Sequence, residues 1–94
     1  MSEYSFKNFN EFYDFLMKHN DQFQNTKILS FMGVVKTART TSCGMCRRKN
    51  INIAEDTYRN MFTLLSLDDK QKIKTILNVE TVKFFYDTSP MFNF

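Results

Sequence analysis

Two cysteines, a single histidine and a run of three bases are the residues in this chain whose types and spacing can do chemistry. Cys43 and Cys46 stand in the stretch Ser42-Cys43-Gly44-Met45-Cys46-Arg47-Arg48-Lys49. Cys-x-x-Cys has three physical readings. Two thiolates at this spacing are half of a tetrahedral zinc site. His19 is the only further good ligand in the chain, so a symmetric dimer, with four sulfurs from two copies, is the simplest way to close such a site. The second reading is a redox pair, because Arg47, Arg48 and Lys49 favour the thiolate. Disulfide-exchange sites of this spacing sit in a βαβ context, which the sequence does not present. The third reading is two reduced thiols in an exposed turn around Gly44, or two small buried hydrophobes. His19 lies beside Phe12 and Phe15 on the flank of an apolar stripe and reads as a surface or satisfied histidine before it reads as a ligand.

No dinucleotide fingerprint, P-loop, His-Glu-x-x-His or serine elbow occurs. With one histidine and no dense acidic cluster, general acid–base catalysis is poorly provisioned. The expectation is a protein that is not an enzyme, has no small-molecule substrate and has no cofactor except zinc.

Charge is unevenly laid out. The net charge is +3, yet the window from Gln22 to Ala54 contains no acid and holds Lys27, Lys36, Arg39, Arg47, Arg48 and Lys49. The remainder carries seven bases and ten acids. A basic surface of this kind concentrates nucleic acid or an acidic protein face. Lys36, Arg39, Arg47, Arg48 and Lys49 are the candidate anion-facing residues.

The elements that must position these groups follow from periodicity. Asn8 with Glu11 reads as a variant capping box, and Phe9, Phe12, Tyr13 and Leu16 fall on one helical stripe that Phe23 extends past His19. Asn25 or Thr26 caps a second helix with Ile28, Phe31, Met32 and Val35 inward. Gly33 in its interior marks a close helix crossing. Residues 37–51 read as a long loop carrying the cysteines and bases, and loops of that length are usually functional or disordered. Asn52 with Glu55 opens a third helix, with Ala54, Tyr58, Met61 and Leu65 on one stripe. Ser66 caps a fourth, with Asp68 and Asp69 in its first turn and Lys70, Lys72 and Lys74 turned to water. Residues 1–7 read as an N-terminal arm.

Residues 79–94 read as an extended segment. Thr81 to Tyr86 is β-branched and aromatic but has no evident partner in the chain. Val82, Phe84, Phe85 and Tyr86 are therefore candidates for pairing with another protein, and Met91, Phe92 and Phe94 for an apolar anchor in a partner's groove. The alternative for both is that they lie across this protein's own helices.

Ninety-four residues with 43% apolar content and eleven phenylalanines make one small domain with its own core. The fold class expected is all-α: about four short helices, the long Cys-x-x-Cys loop between the second and third, and the extended or β-like tail. Two cysteines do not make a secreted disulfide framework. No apolar run is long enough to span a bilayer, and no signal peptide is read at Met1. The expected setting is the cytoplasm or a virus particle, with no membrane partner. The asparagine, lysine and phenylalanine richness is similar to that of small proteins of AT-rich genomes, tailed phages among them. The likeness is compositional and covers no motif. It implies a virion structural or host-takeover protein. The function expected is non-enzymatic protein–protein interaction or assembly, as a homo-oligomer or with a protein partner. The alternative is a small basic nucleic-acid-binding or transcription-regulating module, linked by zinc through Cys43 and Cys46.

Overall fold

The computed structural model describes residues 2–94. The chain runs β1 (Glu3–Phe6), α1 (Phe9–Lys18), a 3-10 turn (Asn20–Gln22), α2 (Thr26–Thr40), α3 (Gly44–Arg59), α4 (Met61–Leu64), α5 (Leu67–Leu77), β2 (Thr81–Tyr86) and β3 (Ser89–Asn93). This is a small α/β fold and not the all-α bundle expected. The correction comes from the two ends of the chain, which meet in one three-stranded sheet of order β1-β2-β3.

Thr81 to Tyr86 is the middle strand. It pairs in parallel with β1, Glu3 opposite Thr81 and Phe6 opposite Phe84. It pairs antiparallel with β3, Phe84 opposite Phe92 and Tyr86 opposite Ser89. Residues 3–6 are therefore a strand and not a loose arm. Beyond β3, the Val82 amide donates to the Phe94 carbonyl (2.7 Å) and the Phe94 amide donates to the Val82 carbonyl (2.9 Å). The two-residue turn between β2 and β3 has positive φ at both Asp87 (52°) and Thr88 (65°), the backbone twist that a tight hairpin requires. Pro90 sits on the edge strand opposite Phe85, next to a register shift, where its missing N–H leaves no ladder bond unmade.

One face of the sheet is the floor of the core. Phe6, Val82 and Phe84 are fully buried there, under Phe12, Phe31, Tyr58, Met61 and Ile73. Phe84 is the hub, with ring centroids 4.9 Å from Phe12, 5.1 Å from Phe6 and 4.5 Å from Phe92. Tyr58 couples α3 to the sheet: its hydroxyl donates to the Phe85 carbonyl (2.8 Å), with the Phe6 carbonyl at 3.3 Å. Burial pushes its phenol well above the ordinary range, so it is held as a donor.

The helices begin where side chains satisfy their free N–H groups. Asn8 Oδ1 accepts from the Glu11 amide (3.1 Å) and Asn25 Oδ1 from the Lys27 amide (2.9 Å). Ser66 and Asp69 form a full capping box. The expected stripes are the buried ones: Phe12, Tyr13 and Leu16 on α1, Ile28, Phe31, Met32 and Val35 on α2, Ala54 and Tyr58 on α3, Met61 on α4 and Leu65 just after it. Four readings change. The third helix, read as one stripe through Leu65, breaks at Asn60 into α3 and α4. The first helix stops at Lys18, and Phe23 reaches the core after the 3-10 turn. Gly33 is exposed, and a Cβ built there meets nothing within 4 Å, so it marks no close crossing. The third helix does not start at Asn52. It starts eight residues earlier, at Gly44, which removes the loop at 37–51 and leaves only Thr41 to Cys43 between α2 and α3.

Candidate functional site

The loop disappears because its residues find helical partners. Thr37 and Thr40 turn their hydroxyls back to the carbonyls of Gly33 and Lys36 (both 2.9 Å), which removes their competition with the helix backbone. Ala38 is buried. At the start of α3 the cap is a thiol. Cys43 has an extended backbone, and its Sγ accepts from the Cys46 amide at 3.3 Å. Asn50 Nδ2 donates to the Cys46 carbonyl (2.8 Å). The sequence reading missed this cap. The one signal was position, a short polar residue followed by a helix-compatible run, and cysteine is seldom read as a cap.

The consequence is geometric. A loop would leave the bases spread out. A helical hairpin joined by three residues brings the last turns of α2, with Lys36 and Arg39, to the first turns of α3, with Arg47, Arg48 and Lys49. Residues 42–49 are all exposed, Met45 at 86%. The five bases are not equivalent. Arg39 is exposed but held by neighbours: its guanidinium lies over the Tyr13 ring (4.5 Å to the centroid) and donates to Asn10 Oδ1 (2.8 Å) and Asp14 Oδ1 (3.2 Å). It fastens α2 to α1, which leaves it less free to face an anion than the other four. Arg47 Nη2 donates to the Thr41 carbonyl (2.9 Å), bracing the connection between the helices while staying exposed. Among the described residues, Lys36, Arg48 and Lys49 make no ion pair and donate no side-chain hydrogen bond. These three, with Arg47, are the cationic face of the hairpin's outer end. Beside it, a cleft of about 440 Å³ has Val35, Ala38 and Ile51 among its apolar lining and the Arg39 and Arg47 side chains at its wall.

Cys43 and Cys46 lie at the same outer end and are both exposed free thiols. They are inequivalent. The hydrogen bond from the Cys46 thiol, then backbone N–H groups at the start of α3, hold the Cys43 thiol below its ordinary value. The same hydrogen bond, seen from the donor, raises Cys46. Among the described residues no group of three or more His, Cys, Asp or Glu is placed to hold a metal ion. His19 is accordingly not brought to the cysteines. It ends α1, with its ring 5.1 Å from that of Phe15.

The candidate protein-binding residues at the C-terminus are used internally. Val82 and Phe84 are fully buried, and β2 is paired on both sides, so its backbone is not open to a partner strand. Phe92 stacks on Phe84, and its ring centroid is 5.3 Å from Phe62. Phe94 lies 5.9 Å from Phe84. Met91 is half-buried against the core. Phe85 faces the other side of the sheet with Lys7 Nζ 5.5 Å from its ring. The Tyr86 hydroxyl donates to Glu55 Oε2 (2.8 Å) and accepts from Arg59. The lysines of α5 are also less free than expected: Lys70 Nζ lies 3.9 Å from the Phe62 ring centroid, and Lys72 Nζ donates to the Gln22 carbonyl (3.0 Å).

No helix among the described residues is long and apolar enough to cross a membrane. The chain matches no protein-family model, no curated protein and no solved structure.

Proposed function

We propose that this protein is a binding module whose working surface is the outer end of the α2–α3 hairpin, and that its partner is a polyanion, nucleic acid. One observation carries the reading. The hairpin gathers Lys36, Arg47, Arg48 and Lys49 at one exposed end of the molecule, within a stretch of chain that contains no acid. Cations left unpaired on a folded surface attract the phosphates of a polyanion's backbone and release its condensed counterions. The first-turn amides of Gly44 and Met45 point the same way, since the start of a helix is receptive to phosphate oxygens. The reading favours backbone contacts over base reading. The first turns of α3 present flexible cations and an apolar Met45, not an array of amides for base edges.

The exposed Met45 supports a second reading, an acidic protein face in an assembly such as a virion, where an apolar contact among charges adds hold. The two separate in one experiment. Fluorescence anisotropy with labelled DNA against salt gives a steep, sequence-tolerant dependence for the first reading. The second predicts no DNA binding at low salt and capture of an acidic protein through the same lysines and arginines.

A further inference from the structure

The most reactive chemistry on this surface is not used by anion binding. Cys43 caps the start of α3 and Cys46 stands in its first turn, Sγ of Cys43 lying 3.3 Å from the Cys46 amide nitrogen. Both sulfurs are open to solvent. The residues that follow are Arg47, Arg48 and Lys49, and no acid occurs in the chain between Asp21 and Glu55. An exposed thiol at the start of a long helix in a cationic setting is the arrangement that favours thiolate. A second thiol three positions on is in reach to resolve a mixed disulfide. Burial or an acidic neighbour would have made the pair inert; both thiols are exposed, and among the described residues no acid acts on either. The pair is also asymmetric: Cys43 caps the helix and accepts hydrogen bonds, whereas Cys46 donates.

We propose that Cys43 and Cys46 form a thiol–disulfide exchange site in which Cys43 is the attacking sulfur, Cys46 the resolving one, and the substrate a small anionic disulfide of the glutathione type. The Cys43 thiolate attacks one sulfur of the disulfide, forming a mixed disulfide and releasing the first thiolate. Cys46 then loses its proton to solvent and attacks the Cys43 sulfur, which releases the second thiolate. Two electrons pass from the cysteine pair to the small disulfide, one protein disulfide forms, and two small thiols leave. Arg47, Arg48 and Lys49 steer the anionic substrate to the pair. The inference does not depend on what larger partner the hairpin binds.

The test is made on the full reduced chain with oxidised glutathione and with iodoacetamide at neutral pH, read by mass spectrometry of each cysteine. Cys43 is expected to alkylate at least about tenfold faster than Cys46 in the folded protein, with the ratio falling toward one in denaturant. With oxidised glutathione the native chain is expected to become two hydrogens lighter without retaining an adduct. The Cys46→Ser variant should instead stop at a glutathione adduct on Cys43. Equal alkylation of the two thiols in the folded chain overturns the proposal, as does a mixed disulfide that persists in the unaltered protein. Purified protein that carries zinc, with both thiols blocked until a chelator is added, overturns it too and assigns the pair to a metal.

Discussion

Asn25 should be the most costly polar residue to lose, because one side chain serves the starts of two helices. Its Oδ1 caps α2 through the Lys27 amide at 2.9 Å. Its Nδ2 donates to Asp69 Oδ2 (2.8 Å) and to the Leu64 carbonyl (3.1 Å). Asp69 is only 4% exposed, and Oδ2 also accepts from the Ser66 amide as half of the α5 capping box. Asn25→Ala removes a cap, which costs about 1 kcal/mol. It also takes one donor from a buried carboxylate, which costs about 2 kcal/mol. The sum is about 3 kcal/mol, or roughly 12–24 °C in Tm for a domain of this size. Urea unfolding followed by circular dichroism at neutral pH measures it. Asn25→Ser separates the two parts. A serine keeps the cap and cannot reach both acceptors, so it should lose about 2 kcal/mol. A loss below about 1 kcal/mol for the alanine variant, or full stability for the serine variant, would refute the idea that the two helix starts are tied through Asn25.

Acid should act through the same group. Burial tends to raise the Asp69 pKa, but the hydrogen bonds from Asn25 and Ser66 outweigh it and hold the group below the ordinary value of 3.8. The stability this confers is complete above that value and is lost as pH falls through the lower folded value. Asp69→Asn should therefore flatten the loss of stability below about pH 4; an unchanged acid limb in the variant's unfolding curve would count against it. Deleting Phe92 to Phe94 should remove the stack on Phe84 and the paired bonds to Val82, at a cost of about 3 kcal/mol or more. A truncated chain with the Tm of the intact one would return these residues to a docking role.

What the sequence made legible was local. Asn8 and Ser66 act as caps where they were expected, Asn25 takes the role it shared with Thr26, and the apolar stripes of the first three expected helices, Phe9 apart, are buried. What it hid was pairing at a distance. Glu3–Phe6 is four residues long and pairs with a strand more than seventy residues away, and no local pattern encodes that. The β2–β3 hairpin was hidden by its turn. Asp87-Thr88 lacks the glycine that usually marks a tight turn, and Thr88 takes a positive φ that β-branched residues avoid. The loop at 37–51 was misread for a related reason: its threonines bond back to their own helix and a cysteine does the work of a serine cap. The bases of the candidate site were visible by type and run. Their sorting was not, because Arg39 is taken up by Tyr13, Asp14 and Asn10, which lie far from it in sequence.

The central claim is that the hairpin end binds nucleic acid through backbone charge, and the salt dependence of that binding tests it most directly. If Lys36, Arg47, Arg48 and Lys49 each neutralise one phosphate, log K against log salt should fall with a slope of about −3.6, which is about 150-fold in affinity between about 50 and about 200 mM. Arg48→Ala with Lys49→Ala should reduce the slope by about 2. Lys83→Ala, which removes the partner of Glu3 on the sheet, should leave it unchanged. Absence of DNA binding at low salt, or a slope that the double variant does not alter, would contradict the account.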